Sequence, residues 1–304
     1  MFASRRLWRL GIATALTASV TVIAASPGTA PAASGSAKQP AAGGGTQPLV
    51  IGGGGTGKRG KGTITMSGST SVAPLAALLA RKYVKVCNHC VTFRLLQGGS
   101  DVGVSDVAHG RVTIGNSSRD PKPGDPGGLV WHKIAKDAIC VITNQDNGLA
   151  NLSQNGVQQI FSGGVRHWND VPGAGRGNNT IDLYVRTAAS GTQDAFQKIF
   201  MDPFNVSSTA KQKSSNGLVQ QSVKSDKDGI GYVSLYFAKG TNAVAYKGVA
   251  CNLRNAKSGQ YGGVRNFWMI TRGAAHGRTK KWLSWIKKSK AANRIVATQW
   301  VPLH

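Results

Sequence analysis

Short apolar runs alternate with amphipathic stretches along the chain from residue 63 to its end. The apolar runs predict strands at 63–66, 91–96, from 113 onward, 138–143, 181–185, 230–233 and 267–271. The amphipathic stretches predict helices at 72–86, 101–109, 157–161, 192–200 and 279–292. Within the first helix, Leu75, Leu78, Leu79 and Val86 fall on one side. This alternation is typical of an α/β fold with mostly parallel sheets.

The first 33 residues have the pattern of an export signal. Three arginines among the first nine residues precede an apolar stretch at 11–25, and small residues follow it. This pattern favours cleavage after Ala25, Ala30 or Ala33. We therefore expect an exported protein that is either periplasmic or extracellular and associated with the cell wall. No cysteine stands just after the apolar stretch, so the sequence offers no site there for a lipid anchor.

Residues 34–62 are rich in Gly, Ala, Ser and Pro, a composition that predicts a disordered linker. Within it, residues 52–58 have the spacing of a phosphate-binding P-loop, but Arg59 stands where a magnesium-holding Ser or Thr belongs. We therefore expect no nucleotide cofactor. The 304 residues are enough for roughly two domains. Outside the first 26 residues there is no apolar run long enough to span a bilayer, which excludes a multi-pass membrane protein.

The chain is strongly basic, with 37 Lys and Arg, 12 acidic residues and a formal net charge of +25. Without the three arginines of the export signal, the charge is still +22. A surface of this sign favours anionic partners such as phosphate, nucleic acid or an acidic wall polymer. The cations are dense at 271–294, where two interpretations stay open. They form either a solvated helix face above buried Trp282 and Ile286, or a patch for wall polymers and other polyanions.

Four cysteines, Cys87, Cys90, Cys140 and Cys251, allow three pairings in an exported protein. We favour two structural bridges, Cys87–Cys90 and Cys140–Cys251. The alternative for the first two cysteines is half of a zinc site, but the sequence has no second CxxC and no HxxxH to complete it. We therefore expect no bound metal.

Three turns rich in Ser, Thr and Gly lie between a predicted strand and a predicted helix, at 67–71, 98–100 and 186–192. Each puts hydroxyls and free backbone N–H groups at a helix start, where anions bind. One such turn is ordinary helix capping. Three turns in one chain, one of them containing Arg186, indicate an anion site, because a guanidinium suits bidentate recognition of an oxyanion.

Motifs for catalysis are absent from the sequence. It contains no G-x-S-x-G elbow and no HExxH, and no nucleophile–base pair is evident. We expect a binding protein and not an enzyme. A phosphatase is the least favoured alternative.

Several segments resemble the phosphate-binding proteins of phosphate ABC transporters. The most specific are RTAASGTQDAF at 186–196 and SNGLVQQSVKSDKDGIGYVSL at 215–235. Four other segments also resemble the family, and all six stand in the same order along the chain as in the family. These four are ITMSGSTSVAPL at 64–75, the segment 98–119, FSGGVRHWNDV at 161–171 and the tail WVPL at 300–303. The resemblance covers nearly all of residues 63–304.

This resemblance implies a type II periplasmic-binding-protein fold, in which two α/β lobes joined by a two-strand hinge close over one anion. Residues 63–143 plus 259–304 are expected to form lobe 1, and residues 144–258 to form lobe 2. The implied function is capture of inorganic phosphate by a monomer and its delivery to an ABC permease in the membrane. Specific nucleic-acid binding is not expected. The alternatives are a basic wall or matrix interaction protein, or a general binder of sulfate or molybdate, on the same fold.

Carried over position by position, the family's binding site falls on eight residues of this sequence. These residues are Thr70, Ser71, Ser100, Ser118, Arg186, Ser190, Gly191 and Thr192. Many phosphate binders have an Asp in the segment that corresponds to residues 115–119 of this chain, and this Asp accepts the proton of hydrogen phosphate. This chain has Ser118 and Arg119 there. Asp101 and Asp120 are therefore the candidate proton acceptors.

Overall fold

The computed structural model describes residues 47–52 and 62–303, so the predicted export signal and most of the predicted linker lie outside the described residues. The strands are β1 Leu49–Ile51, β2 Gly62–Gly68, β3 Val91–Leu95, β4 Ile114–Ser117, β5 Leu129–Thr143, β6 Asn151–Leu152, β7 Asp182–Arg186, β8 Lys211–Lys213, β9 Gly229–Ser234, β10 Asn242–Ala243, β11 Ala245–Tyr246 and β12 Val264–Arg272. The helices are α1 Ala73–Val86, α2 Ser100–Ala108, α3 Gln154–Ser162, α4 Gly191–Phe196, α5 Asn216–Ser225, α6 Leu253–Ser258, α7 Gly277–Lys288 and α8 Lys290–Gln299.

One continuous sheet has the strand order β1-β3-β2-β4-β12-β5-β9-β7-β8, and β10 pairs with β5. Toward its two ends the pairing is parallel between β2 and its neighbours β3 and β4, and between β7 and its neighbours β8 and β9, while the edge strand β1 pairs antiparallel with β3. In the middle, β12 and β5 pair antiparallel with each other and with their neighbours. The prediction of mostly parallel sheets is therefore wrong at the centre. These two strands carry the chain from one end of the sheet to the other and back, so they run in opposite directions.

β5 belongs to both ends of the sheet, because its 15 residues are enough to span the middle. Residues 129–138 pair with β12, and residues 139–143 pair with β9. The sequence predicts only 138–143 as a strand, since that part alone is a continuous buried apolar run. The preceding part includes His132, Lys133 and Lys136 and is partly exposed, so its pattern does not stand out.

Two separate hydrophobic clusters pack against the two ends of the sheet. One includes Leu75 of α1 and Trp282 of α7, and its residues lie before position 136 or after 266. The other includes Phe196 and Tyr232, whose stacked rings have centroids 3.7 Å apart. Except for Val301, its residues lie between 138 and 261. This division follows the type II fold, and the lobe boundaries expected from the sequence stay a prediction.

Both favoured disulfides are present. Cys87–Cys90 closes the turn after α1, in which Asn88 has a φ of 50°. Cys140–Cys251 joins β5 to the segment before α6, across 111 residues. A bridge across a long loop restricts the unfolded chain more than one across a short turn, so the second bridge stabilises the fold more.

Two predicted boundaries are wrong. Leu49–Ile51 lies inside the predicted linker but forms a strand that pairs with β3, because Ile51 is buried against α1 and β3. The predicted helix at 279–292 is two helices. α7 ends at Lys288, and the Ser289 hydroxyl then caps α8 by accepting from the backbone N–H groups of its first turn. Within 47–52 and 62–303, no helix has the length and apolar character needed to cross a membrane.

Candidate anion-binding site

The first Ser-rich turn connects β2 to α1. Gly68 ends β2 with a φ of 121°, and a Cβ at this position would collide with the backbone of β4, so the position requires glycine. The Ser69 hydroxyl accepts from the backbone N–H of Ser71 at 3.2 Å and donates to Ser118 Oγ at 2.8 Å. These two bonds shape the turn and fix it to the loop that follows β4.

Ser100 begins α2, Ser118 follows β4, and the two residues are in contact. The backbone N–H of Ser118 donates to Ser100 Oγ at 3.0 Å, and both residues are almost fully buried. Gly99, before Ser100, has a φ of 101°. A Cβ on Gly99 would lie 2.6 Å from the carbonyl oxygen of Ala189, so this turn is packed closely against the third one.

The third predicted turn, 186–192, packs against the first two from the other end of the sheet. Ser71 Oγ and Thr192 Oγ1 are 3.0 Å apart. A Cβ on Gly191 would lie 2.8 Å from the backbone nitrogen of Arg119, so the close approach requires glycine here as well. The three turns and Ser118 together form a group of residues that are each no more than 5% exposed, which we call the hydroxyl cluster: Ser69, Thr70, Ser71, Ser100, Ser118, Ser190 and Thr192.

Arg186 ends β7, and its guanidinium is buried without a carboxylate partner among the described residues. Its Nε donates to the carbonyl oxygen of Lys213 at 3.1 Å, and its Nη2 donates to that of Ser214 at 2.8 Å. Nη1 is buried and has no hydrogen-bond partner in 47–52 and 62–303. Burial lowers the pKa of Arg186 to about 10; Tyr232 opposes this change and the positive charge of Arg265 adds to it. An anion that reaches this cation would offset the cost of burying it.

Asn216, at the start of α5, is a member of the site that the sequence analysis did not identify. Its Nδ2 donates to Thr70 Oγ1 at 2.9 Å and to Ser71 Oγ at 2.8 Å, and its Oδ1 accepts from the backbone N–H of Ser234. It lies within the motif at 215–235. Nothing in the local pattern distinguishes it from a residue at an ordinary helix start.

Arg265 and Asp137 form a second group that the sequence analysis missed. Arg265 Nε and Nη2 donate to Asp137 Oδ2 at 3.1 and 2.9 Å, and Nη2 also donates to Ser71 Oγ at 2.9 Å. Burial raises the pKa of Asp137, and the ion pair with Arg265 opposes that rise. The two residues lie 128 positions apart on β12 and β5, so no spacing pattern reveals them.

Neither candidate proton acceptor has a carboxylate bond to the hydroxyl cluster among the described residues. Asp101 binds Arg119 Nε at 2.6 Å, and its side chain is 42% exposed. Asp120 Oδ1 accepts from Asn266 Nδ2 and Trp268 Nε1, each at 2.9 Å. The acceptor role of either Asp stays a prediction, and these contacts do not support it.

The hydroxyl cluster and the guanidinium groups of Arg186 and Arg265 present donors in a buried setting, which suits an oxyanion that has lost its water. Hydrogen bonds and close contacts join seven of the eight predicted site residues. Arg186 is the exception, because its guanidinium donates to carbonyl oxygens outside the cluster. In the part of the chain that the structure describes, His, Cys, Asp and Glu form no group of three or more that could hold a metal ion.

A sequence profile of the PBP superfamily domain matches residues 53–289. The match covers well over half of the sequence, and the chain belongs to this superfamily.

Known proteins narrow the comparison. The phosphate-binding protein PstS of Bacillus subtilis (strain 168) is 28% identical over 247 residues, which cover 80% of this chain and 81% of that protein. A putative phosphate ABC transporter substrate-binding protein from Clostridium perfringens, solved with bound phosphate, is similar with a TM-score of 0.74 and 26% identity, over 80% of this chain and 100% of that one. An ABC-type phosphate transport receptor from Vibrio cholerae is similar with a TM-score of 0.64 and 25% identity, over 78% of this chain and 99% of that one. These similarities confirm the fold class and the family resemblance read from the sequence.

Proposed function

We propose that the protein captures inorganic phosphate between two lobes and delivers it to an ABC permease. The observation that carries this proposal is the buried hydroxyl cluster together with Arg186, whose buried Nη1 has no hydrogen-bond partner among the described residues. Neutral donors together with a fixed cation offset the lost hydration of a small oxyanion. The relatives from Bacillus, Clostridium and Vibrio, each named for phosphate, support phosphate as that anion.

The eight residues carried over from the family are the proposed phosphate ligands. Residues 63–143 plus 259–304, as lobe 1, supply Thr70, Ser71, Ser100 and Ser118. Residues 144–258, as lobe 2, supply Arg186, Ser190, Gly191 and Thr192. Because the ligands come from both lobes, bound phosphate stabilises the closed arrangement by its greater affinity for that state.

Contacts between the two proposed lobes support a clamshell mechanism. Ser71 meets Thr192, the backbone N–H of Asp101 donates to the carbonyl oxygen of Ala189 at 3.1 Å, and Lys122 pairs with Asp194 at 2.6 Å. All three contacts connect segments on opposite ends of the sheet. Opening the lobes breaks them, and bound phosphate shifts the balance back toward closure.

The relatives are solute-binding proteins and receptors, and this protein is likewise a binding protein and not an enzyme. We propose that it acts outside the cytoplasm, in the periplasm or at the cell wall, where a solute-binding protein meets its permease. The predicted export signal, which lies outside the described residues, supports this location. The two disulfides support it too, since such bridges persist in oxidising compartments.

Isothermal titration of the protein without residues 1–33 against phosphate, sulfate and molybdate tests the proposed function. We expect one phosphate per monomer and much weaker binding of the other two anions. Small-angle scattering with saturating phosphate should show a smaller radius of gyration than without it. Equal binding of all three anions would reduce the proposal to a general oxyanion binder, and an unchanged radius would contradict the clamshell.

We also propose an anionic wall polymer as a second partner. α1, α7 and α8 pack together, and we call their exposed cations the basic helical face: Arg81, Lys82, Lys85, Lys280, Lys281, Lys287, Lys288, Lys290 and Arg294. No ion pair engages any of them among the described residues. All 12 acidic residues of the chain are Asp and lie between Asp101 and Asp228, which leaves these three helices without a carboxylate.

A cavity of about 470 Å³ lies where α7 meets α8, and four lysines line it: Lys133, Lys287, Lys288 and Lys290. A flexible phosphodiester chain matches such a surface by charge alone, so its binding should weaken steeply as salt increases. The test replaces Lys287, Lys288 and Lys290 by Gln and measures retention on purified teichoic acid at several salt concentrations. The matched control replaces Lys224, Lys239 and Lys247, which are exposed on the other proposed lobe, by Gln. Equal retention of the two triple variants would contradict this surface.

A further inference from the structure

Arg265 and Asp137 stand on the two antiparallel strands that connect the ends of the sheet. Both are buried, with Arg265 6% exposed and Asp137 1% exposed. Both oxygens of the Asp137 carboxylate are used, because Oδ2 accepts twice from Arg265 and Oδ1 accepts from the Ser234 hydroxyl at 2.8 Å. Asp137 therefore holds the guanidinium of Arg265 in one orientation.

That orientation brings Arg265 to the hydroxyl cluster. Its Nη2 donates to Ser71 Oγ, which also accepts from Asn216. Both lone pairs of Ser71 Oγ are then used, so the hydroxyl acts as a donor, and Thr192 Oγ1 at 3.0 Å is its acceptor in this structure. Arg265 thus fixes the direction in which a proposed phosphate ligand presents its proton.

The Nη1 amino group of Arg265 is unused, in the same way as that of Arg186. Nη1 of each residue is buried and has no hydrogen-bond partner in the described part of the chain. Most buried polar side-chain atoms in proteins do have a partner, so two such groups beside one donor cluster call for an explanation. The two cations also repel each other, since the charge of Arg265 contributes to the lowered pKa of Arg186. An anion that binds both arginines would resolve the repulsion and the unused donors together.

We propose that Arg265 is a second anion-binding arginine, which donates through Nη1 to the same oxyanion as Arg186 while Asp137 holds it in place. This inference rests on the proposed function and extends it. The net charge of the three buried groups Arg186, Arg265 and Asp137 is +1, the same as that of Arg186 alone. Without Arg265, this charge would face the anion from one side only. Two guanidinium groups held by different strands spread the positive charge over two sides of the anion and add a second directional donor.

The alternative is a purely structural role, in which Arg265 only neutralises buried Asp137. Four proteins distinguish the two roles by phosphate titration: wild type, Arg265→Lys, Arg265→Gln and the double variant Arg265→Gln/Asp137→Asn. The double variant removes both charges, so no carboxylate is left buried and unpaired. Arg272→Gln, at the exposed end of the same strand, is the matched control. Thermal unfolding without phosphate reports whether each variant is folded.

We expect the double variant to be folded and to bind phosphate at least about 30-fold more weakly than wild type, which corresponds to the low end of truncating one partner of a buried charge pair. Arg265→Lys should keep the ion pair and still bind about tenfold more weakly, because an ammonium cannot donate to Asp137 and to the anion in the same planar geometry. Arg272→Gln should bind like wild type. Wild-type affinity in the double variant or in Arg265→Lys would overturn the inference and leave the proposed function intact. Failure of the wild type to bind phosphate would overturn both.

Discussion

Two buried arginines on opposite ends of the sheet have contrasting surroundings. Arg119, in the loop after β4, is 4% exposed and has both of its neighbouring carboxylates at 2.6 Å: Asp101 at Nε and Asp125 at Nη2. Its Nη1 also donates, to Asp125 and to the carbonyl oxygen of Asp120. Arg186 is 2% exposed, yet among the described residues only carbonyl oxygens accept from its guanidinium, and its Nη1 has no partner.

The pKa values of the two side chains shift in opposite directions. For Arg119, burial lowers the pKa, but the bonds and charges of Asp125 and Asp101 outweigh burial and raise it overall. For Arg186, burial prevails and lowers the pKa to about 10. The contrast shows that burial of an arginine does not indicate its role. A buried arginine whose donors are all used stabilises the fold, and one with an unused donor and no carboxylate is suited to an external anion.

The largest expected effect separates binding from stability at Arg186. Arg186→Ala should weaken phosphate binding by about 2–5 kcal/mol, the range for removing one partner of a buried charge pair. The free energy of unfolding without phosphate should change little, because the loss of two hydrogen bonds to carbonyl oxygens is offset by removal of a buried cation that has no carboxylate partner. Titration calorimetry and urea unfolding measure the two quantities, with Arg254→Ala, exposed on the same proposed lobe, as control. Unchanged phosphate affinity would remove Arg186 from the site.

Arg119→Ala should show the opposite behaviour. We expect it to lower the free energy of unfolding by about 3 kcal/mol, the low end for breaking a buried pair, since Asp101 is partly exposed and loses less. Urea unfolding measures this effect, and Arg111→Ala, which breaks an exposed ion pair with Asp106, is the control. If the two variants were equally stable, Arg119 would not be the structural arginine of the comparison.

Asp125, one of the two carboxylates paired with Arg119, should make the free energy of unfolding depend on pH. Burial raises the pKa of Asp125, but the bonds from Arg119 and from the backbone N–H of Lys122 prevail and lower it below 3.8. Its contribution to stability is therefore complete above that value and is lost as the pH falls through the lowered pKa. Asp125→Asn should cost about 1.5 kcal/mol at neutral pH, as for a hydrogen bond to a charged group, and progressively less in acid. A difference in unfolding free energy that stays constant between neutral and acidic pH would contradict this assignment.

The smallest expected effect concerns Asp120. Its Oδ1 is used by Asn266 and Trp268, so Asp120→Ala should leave the preference for phosphate over sulfate within about 0.5 kcal/mol of wild type. Competition titrations with the two anions measure this preference. A clear narrowing would restore Asp120 as the proton acceptor and would show that the carboxylate turns toward the cleft when phosphate is bound.

Local signals predicted the parts of the fold that depend on short segments. The helix α1 follows from the spacing of Leu75 and Leu79, and the turn at 186–192 follows from its Ser, Gly and Thr content. The central antiparallel pair could not be predicted in this way, because the register of β5 against β12 depends on residues more than 120 positions apart. α5 was missed for a related reason, since its few buried residues are separated by polar ones and gain their packing from β9.

The sequence by itself determined the family, the α/β class, the Ser-rich turns and Arg186 as candidate ligands, because these depend on local composition and on motifs that a single segment contains. Only the tertiary structure decided which hydroxyls meet and which arginines are fully paired. It also placed Asn216, Asp137 and Arg265 beside the cluster. The reason is that a hydrogen bond between distant strands depends on sheet register and on the packing of glycine backbones. Register is a property of the whole fold, and no short segment encodes it.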